Sequence, residues 1–479
     1  MRNLCHISRG GRSLDPVSQP RNLRELRESG YVHRTVKQEV RENLLAKLRA
    51  GEPRFPGIVG FDESVLPHLE RALLAGHDLV LLGERGQGKT RLIRTITGLL
   101  DEWTPVVEGC EINDDPLAPV CTACRRKSRE LGDELPVAWR HRDERYGEKL
   151  ATPDTSVGDL IGDVDPIKIA EGRTLGDPET VHYGLVPRTN RGVFSVNELP
   201  DLAERIQVSL LNVLEERDIQ VRGYNLRLPL DILLIASANP EDYTNRGRII
   251  TPLKDRFGAE IRTHYPLTIE DELTLIRQES MPDIGADIPE HLIEVIARFT
   301  RLVRESTAVD ARSGVSARFS IAAAETASAS AVRRMAISGE ERAVARVCDL
   351  ASIVHSLRGK VEFEVSEEGR ETEILAHLLR RATAETFRSR LGGTDLSPLT
   401  DKFAEGNQVE SGELVAATEL LQRIGPVNGL SKLMSRLGMG AGEESPGHAA
   451  AALEFALEGL YLMRRLSKDD LDGMSVYRT

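Results

Sequence analysis

The run Asp78-Leu79-Val80-Leu81-Leu82 breaks into Gly83-Glu84-Arg85-Gly86-Gln87-Gly88-Lys89-Thr90, and the chain resumes as Arg91-Leu92-Ile93-Arg94-Thr95-Ile96 with helical apolar spacing. A strand turning through G-x-x-x-x-G-K-T into a helix confines the surrounding fold to a phosphate-cradling α/β core. The glycines let backbone N–H groups wrap phosphate oxygens, and the helix N-terminus adds partial positive charge. In this pattern Lys89 reaches the β- and γ-phosphates and the Thr90 hydroxyl ligates Mg²⁺. The segment therefore predicts a nucleoside-triphosphate site; a glycine turn that merely matches the pattern would lack the flanking strand and helix.

The chain has 479 residues, too many for one core, and about three domains is the starting expectation. Aromatic residues make up only 4%, which argues against a base-stacking surface. A net charge of −12 argues against general nucleic-acid binding or an anionic membrane surface. No apolar stretch reaches the roughly 20 residues that cross a bilayer, and Met1-Arg2-Asn3-Leu4-Cys5-His6 lacks a signal-peptide core. The expectation is a cytoplasmic protein, in which five cysteines are not a disulfide framework.

Residues 1–34 carry Arg, Gly and Pro without a period and read as a flexible tail. From 35 to 266, apolar strand-like runs alternate with helical segments, predicting an α/β core whose central parallel sheet is flanked by helices. The strand candidates are 78–82, 104–108, 192–197, 231–237 and 259–263. Residues 267–360 are helical and Ala-rich. Val361-Glu362-Phe363-Glu364-Val365 interrupts them, and 361–479 is again mostly helical, with Gly438–Gly447 reading as a linker.

Hydrolysis needs more than a P-loop. Gly192-Val193-Phe194-Ser195-Val196-Asn197-Glu198 is an apolar, β-rich run ending in a polar pair. In P-loop ATPases the first polar position supports the Mg²⁺ shell and the adjoining Glu polarises the attacking water. Asn197 offers an amide oxygen but no negative charge; Glu198 is the candidate base. The bland reading is a strand capped by two polar residues. Asp231–Ser237 is a buried-strand pattern leading to Ala238-Asn239-Pro240, where Asn239 either orients water or only begins an Asn-Pro turn. Arg256, in Pro252-Leu253-Lys254-Asp255-Arg256-Phe257-Gly258, reads from its own segment as a surface ion pair.

Together these segments resemble the AAA+ ATPases, in the branch that holds the magnesium chelatase ATPase subunit and the MoxR-type ATPases. The resemblance covers about residues 55–360. It also rests on Gly60-Phe61-Asp62, on Val157-Gly158-Asp159-Leu160-Ile161-Gly162-Asp163-Val164-Asp165 with Tyr183-Gly184-Leu185-Val186-Pro187 and Arg191-Gly192, and on Gln207–Glu216 with Ile219–Gly223. It implies an AAA+ core with an inserted hairpin, a helical lid, ATP and Mg²⁺ as cofactors, and a homo-oligomeric ring of six. It makes Asn239 the sensor 1 amide, Arg256 an arginine finger given to a neighbour, and Arg318 in Ser316-Ala317-Arg318 the lid arginine. The family usually has Asp where this chain has Asn197.

What the resemblance implies is an ATPase that remodels or activates a partner, commonly a von Willebrand factor A-domain protein on a separate chain. Two alternatives stand beside it. One is the motor of a chelatase that inserts magnesium or cobalt into a tetrapyrrole. The other is a slowly hydrolysing nucleotide-switched scaffold, motivated by Asn197. The G-A-F-T-G-A loop of sigma-factor activators is missing from the sequence, which counts against transcriptional activation.

Cys110, Cys121 and Cys124 fall in one segment, and Cys121-x-x-Cys124 is a thiolate pair suited to zinc, with Cys110 third and His141 a candidate fourth ligand. The alternative is three reduced thiols in a loop insertion. Cys5 and Cys348 read as unpaired.

Overall fold

The computed structural model describes residues 19–165, 167, 170, 180–215, 219–221, 224–226, 228–240, 248–280, 285–310, 314–403, 407–440, 445–471 and 474–478. The chain divides into two bodies, residues 1–83 with 88–263, and residues 84–87 with 264–479.

In the first body a five-stranded sheet runs in the order β11-β1-β10-β7-β4, every pairing parallel. Its strands are β1 (Leu79–Leu82), β4 (Tyr146–Leu150), β7 (Gly192–Asn197), β10 (Ile232–Ala238) and β11 (Ala259–Arg262). Side chains alternate between faces with period two. Leu79, Leu81, Val193, Leu233 and Ile235 enter one apolar cluster with the helices Val36–Ala50 and Val65–Ala75. Val80, Leu82, Phe194, Val196, Leu234 and Ala236 enter another on the opposite face. A strand covered on both sides needs apolar residues throughout, which is why β1, β7 and β10 are fully buried. The helix Val36–Ala50 is bounded by a Thr35–Gln38 capping box and a left-handed Gly51.

Two strand expectations change. The segment read as 104–108 is β2 (Trp103–Val107), which leaves the parallel sheet and pairs antiparallel with β3 (Val137–His141). The fifth parallel strand is β4, whose sequence Tyr-Gly-Glu-Lys-Leu carries little apolar signal because an edge strand is only half covered. Two small hairpins complete the body: β5 (Gly162–Val164) with β6 (Val181–Tyr183), and β8 (Ile219–Val221) with β9 (Tyr224–Leu226). Most of the loop joining β5 to β6 lies outside the described residues.

The reading of 1–34 as a tail also needs correction. Residues 1–18, Cys5 included, lie outside the described residues, but the rest is built into the fold. Asn22 caps a helix, Leu23–Glu28, that buries Leu23 and Leu26. Leu23 N donates to Leu135 O at 3.0 Å and Tyr31 OH donates to Asp115 Oδ2 at 2.7 Å. Two apolar residues three apart are too short a signal to read as a period.

The second body is mainly helical. Glu290–Glu305 packs on Glu371–Leu391, and Pro446–Leu462 is buried from Gly447 to Leu460. One apolar cluster runs from Leu273 to Tyr477, so residues 267–360 and 361–479 are not separate domains. β12 (Ala286–Asp287) pairs with β13 (Ala343–Val344), and β14 (Val409–Gly412), β16 (Met474–Arg478) and β15 (Ser467–Leu471) form an antiparallel sheet that the helical reading lacks. Within the expected linker, Met439 is buried and Gly447 opens a buried helix, where a Cβ would stand 2.7 Å from Val344 Cγ2. Residues 441–444 lie outside the described residues.

Candidate nucleotide site

β1 ends where the P-loop begins, and Gly83 N–H donates to Ala238 O at the end of the neighbouring β10, at 3.1 Å. Gly88 (φ 78°) has open space where a Cβ would be and caps the helix Lys89–Thr95. A side chain at that backbone angle would be strained.

Lys89 is buried, and its ammonium donates to Gly83 O and, at 2.8 Å, to Asn239 Oδ1. Asn239, just past β10, turns its Nδ2 to Glu198 Oε2 at 2.6 Å. Glu198 stands immediately after β7 with φ 57° and ψ 47°, and its N–H donates to Ser237 Oγ at 3.3 Å. A left-handed glutamate costs backbone energy, about 1–3 kcal/mol, and such residues cluster at functional sites. Three residues from three separated segments thus meet in one chain of hydrogen bonds, Lys89–Asn239–Glu198.

Asn197, the last residue of β7, is buried. Its Oδ1 accepts from Ser237 Oγ at 3.2 Å, and its Nδ2 donates to Glu148 Oε1 at 2.7 Å. Glu148 is on β4, and Arg94 of the P-loop helix grips it with Nε at 2.9 Å and Nη2 at 3.1 Å. Partial burial alone would raise the Glu148 carboxyl; the Arg94 and Tyr146 donors, with Asn197, hold it below the usual carboxylate range. A permanent carboxylate therefore touches the amide that occupies the usual acidic position. Glu148 was not among the sequence candidates. The one signal for it is the missing charge at Asn197, which calls for an acid on an adjoining strand.

Thr90 is half-buried in the first turn of the P-loop helix. Its hydroxyl, the Asn197 amide oxygen and the Glu148 carboxylate are hard oxygen donors, the type Mg²⁺ takes. Such an ion would supply charge neutralisation in phosphoryl transfer.

Arg256 does not join this cluster. It ends the helix Thr251–Arg256, exposed, in an ion pair with Glu215 that raises its pKa. In the second body, Tyr265 OH donates to Arg85 O at 2.8 Å and Ala317 N donates to Gly86 O at 3.3 Å. A Cβ on Gly86 (φ 72°) would come within 1.9 Å of Ser316 Oγ. Glu84 and Gln87 belong to that same body, and Gln87 is buried. Arg318 is exposed in the first turn of the helix Ala317–Ser338, which Ser316 caps.

Away from the nucleotide residues, Cys110, Cys121 and Cys124 do come together, and the fourth member of their group is Asp114. His141 is not in that group: it ends β3, with its ring against Trp103. Thiol donation from Cys121 and Cys124 draws the Cys110 sulfur down to about 3 and pushes theirs up. Cys348 is a free thiol in the second body, raised by burial. Among the described residues, no helix is long and apolar enough to cross a membrane.

The sigma-54 interaction domain family matches residues 173–256. The magnesium-chelatase 38 kDa subunit of Acidiphilium rubrum is 30% identical over 236 residues, covering 47% of this chain and 62% of that protein. Its counterpart in Rhodobacter capsulatus is 30% identical over 248 residues, covering 50% and 63%. The chain thus spans less than two thirds of the length of either relative. A structure describing the complex between subunits BchI and BchD of magnesium chelatase overlays with a TM-score of 0.35 at 21% identity, covering 67% of this chain and 98% of that one.

A parallel sheet, a P-loop after β1, and a polar pair closing β7, which lies across β10 from β1, define a P-loop core of the α/β class. Over about half its length the chain is similar to the magnesium-chelatase 38 kDa subunits.

Proposed function

We propose that this chain hydrolyses ATP as a subunit of a homo-oligomeric ring, six-membered by analogy with its family, and that it spends the cycle on remodelling or activating a partner protein. The observation that carries this reading is the Lys89–Asn239–Glu198 chain of hydrogen bonds, which brings phosphate ligand, water-orienting amide and base together. Lys89 and Thr90 would hold the triphosphate and its Mg²⁺, with the Asn197 amide oxygen as a further oxygen donor. Glu148 carries the negative charge that Asn197 lacks, so the amide at 197 is not a mark of a dead enzyme. Glu198 takes a proton from the attacking water, and Asn239 fixes the carboxylate that receives it. Arg256, exposed and away from its own P-loop residues, serves a neighbour's γ-phosphate; Arg318 serves from the lid. Both arginine roles rest on the family pattern and on the exposure of both side chains.

The partner read from that family is a von Willebrand factor A-domain protein. A second reading is favoured by the identity to chelatase subunits: a motor that drives metal insertion into a tetrapyrrole held by a larger partner. One experiment separates them. Glu198→Gln should retain ATP without turnover and trap the assembly. Capture of a tetrapyrrole-binding subunit supports the chelatase reading, and capture of a von Willebrand-type protein supports the other. A Glu198→Gln chain that turns over ATP at the wild-type rate removes Glu198 as base, and with it the hydrolytic mechanism.

A further inference from the structure

The cysteine group has no part in the nucleotide chemistry, and its construction points to a ligand. The Cys110, Cys121 and Cys124 sulfurs and a carboxylate oxygen of Asp114 all lie within 4.8 Å of one another, and all four residues are buried. None of the three cysteines is in a disulfide. A tetrahedral zinc with bonds of about 2.3 Å to sulfur holds its sulfurs about 3.8 Å apart, so one ion fits this group with little adjustment.

The backbone orients the donors as metal ligands are oriented. Asp114 N–H donates to Cys110 Sγ at 3.4 Å, and Cys124 N–H donates to Cys121 Sγ at 3.3 Å. Asp114 Oδ2 accepts from Val120 N at 3.0 Å and Cys121 N at 2.9 Å, which fixes the carboxylate plane. Its other oxygen, Oδ1, is buried and has no hydrogen-bond partner. A buried, unsatisfied carboxylate oxygen costs several kcal/mol unless a cation takes it.

We propose that Cys110, Asp114, Cys121 and Cys124 form a mononuclear zinc centre in the insertion between β2 and β3. Thiolate-rich tetrahedral sets select zinc among divalent ions. Four protein ligands leave no open position, so the centre is structural rather than catalytic. It ties the loop after β2 to the helix Thr122–Leu131, which begins at Cys121. It also fixes the turn that carries Asp115, and Asp115 pairs with Arg191 at 3.0 Å at the root of β7.

The test uses the full chain without a polyhistidine tag. Metal analysis after growth with zinc should give one zinc per chain, released when the thiols are titrated with a mercurial. Cys121→Ser and Cys124→Ser should lose the metal and Cys348→Ser should keep it. Because a ligand variant can simply misfold, cobalt substitution of the wild-type chain is the second measurement. It should give a tetrahedral visible spectrum with thiolate charge transfer, and Asp114→Cys should raise that charge-transfer intensity by about one third, from three thiolates to four. Substoichiometric zinc together with no tetrahedral cobalt spectrum overturns the centre. Acid-labile sulfide with iron overturns its mononuclear character, and unchanged charge transfer in Asp114→Cys overturns Asp114 as the fourth ligand.

Discussion

Replacing Asn197 by Asp restores the residue usual in the family, and here it should do harm. Asn197 Nδ2 is 2.7 Å from Glu148 Oε1. The substitution removes a donor to a carboxylate, a bond worth about 1.5–3 kcal/mol. It also sets two carboxylates side by side: at about 4 Å and an effective dielectric of about 20 their repulsion is about 4 kcal/mol. Glu148 is partly open to water (23%) and keeps Arg94, so it can turn away or share a proton, and we discount the sum to about 2–3 kcal/mol. For a body of this size that lowers Tm by about 4–12 °C. Glu148→Gln alone should leave folding near wild type but slow phosphate release, because the charge is gone. Asn197→Asp combined with Glu148→Gln moves the acid from β4 to β7 and should recover both stability and turnover. The assay is a double-mutant cycle read twice, by thermal unfolding and by steady-state phosphate release at saturating ATP and Mg²⁺. If Asn197→Asp is as stable as wild type, or if the two sites couple by less than about 0.5 kcal/mol, the acids are not neighbours and the relocated charge is wrong.

Lys89→Ala should abolish ATP binding measured by calorimetry; tight binding would refute the phosphate assignment. Asn239→Ala should leave binding in place but cut turnover by about 10²-fold or more, the scale of a lost positioning or charge-stabilising contact, and a change confined to KM would argue that Asn239 does not hold Glu198. Arg256→Ala should bind ATP and lose about 10³-fold in turnover; mixed into wild type it should depress activity beyond its mole fraction, whereas linear loss would exclude a shared site. His291 is buried against Phe455, and burial, with Arg390 and His448 nearby, lowers its pKa to about 3. Its folded value lies below the unfolded 6.5, so stability should be complete above pH 6.5 and fall as pH drops towards 3, by about 2 kcal/mol at pH 5. The difference in unfolding free energy between wild type and His291→Leu should follow that curve, and a flat difference would show that His291 is protonated in the fold.

What could be read from the sequence depended on how much of its meaning each residue carried locally. β1, β7 and β10 are covered on both faces and announce themselves as apolar runs, and the P-loop is a contiguous pattern bounded by two of them. β4 is an edge strand that is only partly buried along its length, so its polar residues hid it, and Glu148 was hidden with it. Cys121 and Cys124 are three apart and legible as a pair. Asp114 is drawn to them by the turn after β2, which no spacing rule encodes; the same turn leaves His141 at the far end of β3. The division at 360 failed for a related reason. Val361–Val365 breaks the helical period, yet Val361 packs into the same apolar cluster as the helices on either side. A period reports local conformation and says little about which surfaces share a core.

The two ends of β7 show how the insertion and the nucleotide residues bear on one element. Arg191, just before the strand, and Glu198, just after it, both have left-handed backbone angles, φ 61° and 57°. Two strained residues flanking a fully buried strand persist only where the surroundings over-determine them. At the root the Arg191 guanidinium supplies that constraint: it donates to Pro105 O at 2.6 Å, Tyr31 OH at 2.9 Å and Thr104 Oγ1 at 3.0 Å, and pairs with Asp115. Burial alone would raise the Asp115 carboxyl, but Arg191 and the donors from His33 and Tyr31 hold it below the usual range, so the pair stays charged at neutral pH. At the tip the Glu198 N–H donates to Ser237 Oγ, its carboxylate accepts from Asn239 Nδ2, and its carbonyl accepts from Asp201 N at 2.9 Å. The strand is thus held at both ends, by the Arg191 network at the root and by the bonds to Glu198 at the tip. Anything that loosens the Asp115 turn should therefore slow hydrolysis while sparing nucleotide affinity. Asp115→Asn, measured for kcat and for ATP binding separately, decides it: a parallel loss of both would mean that the insertion supports the whole fold and has no particular hold on β7.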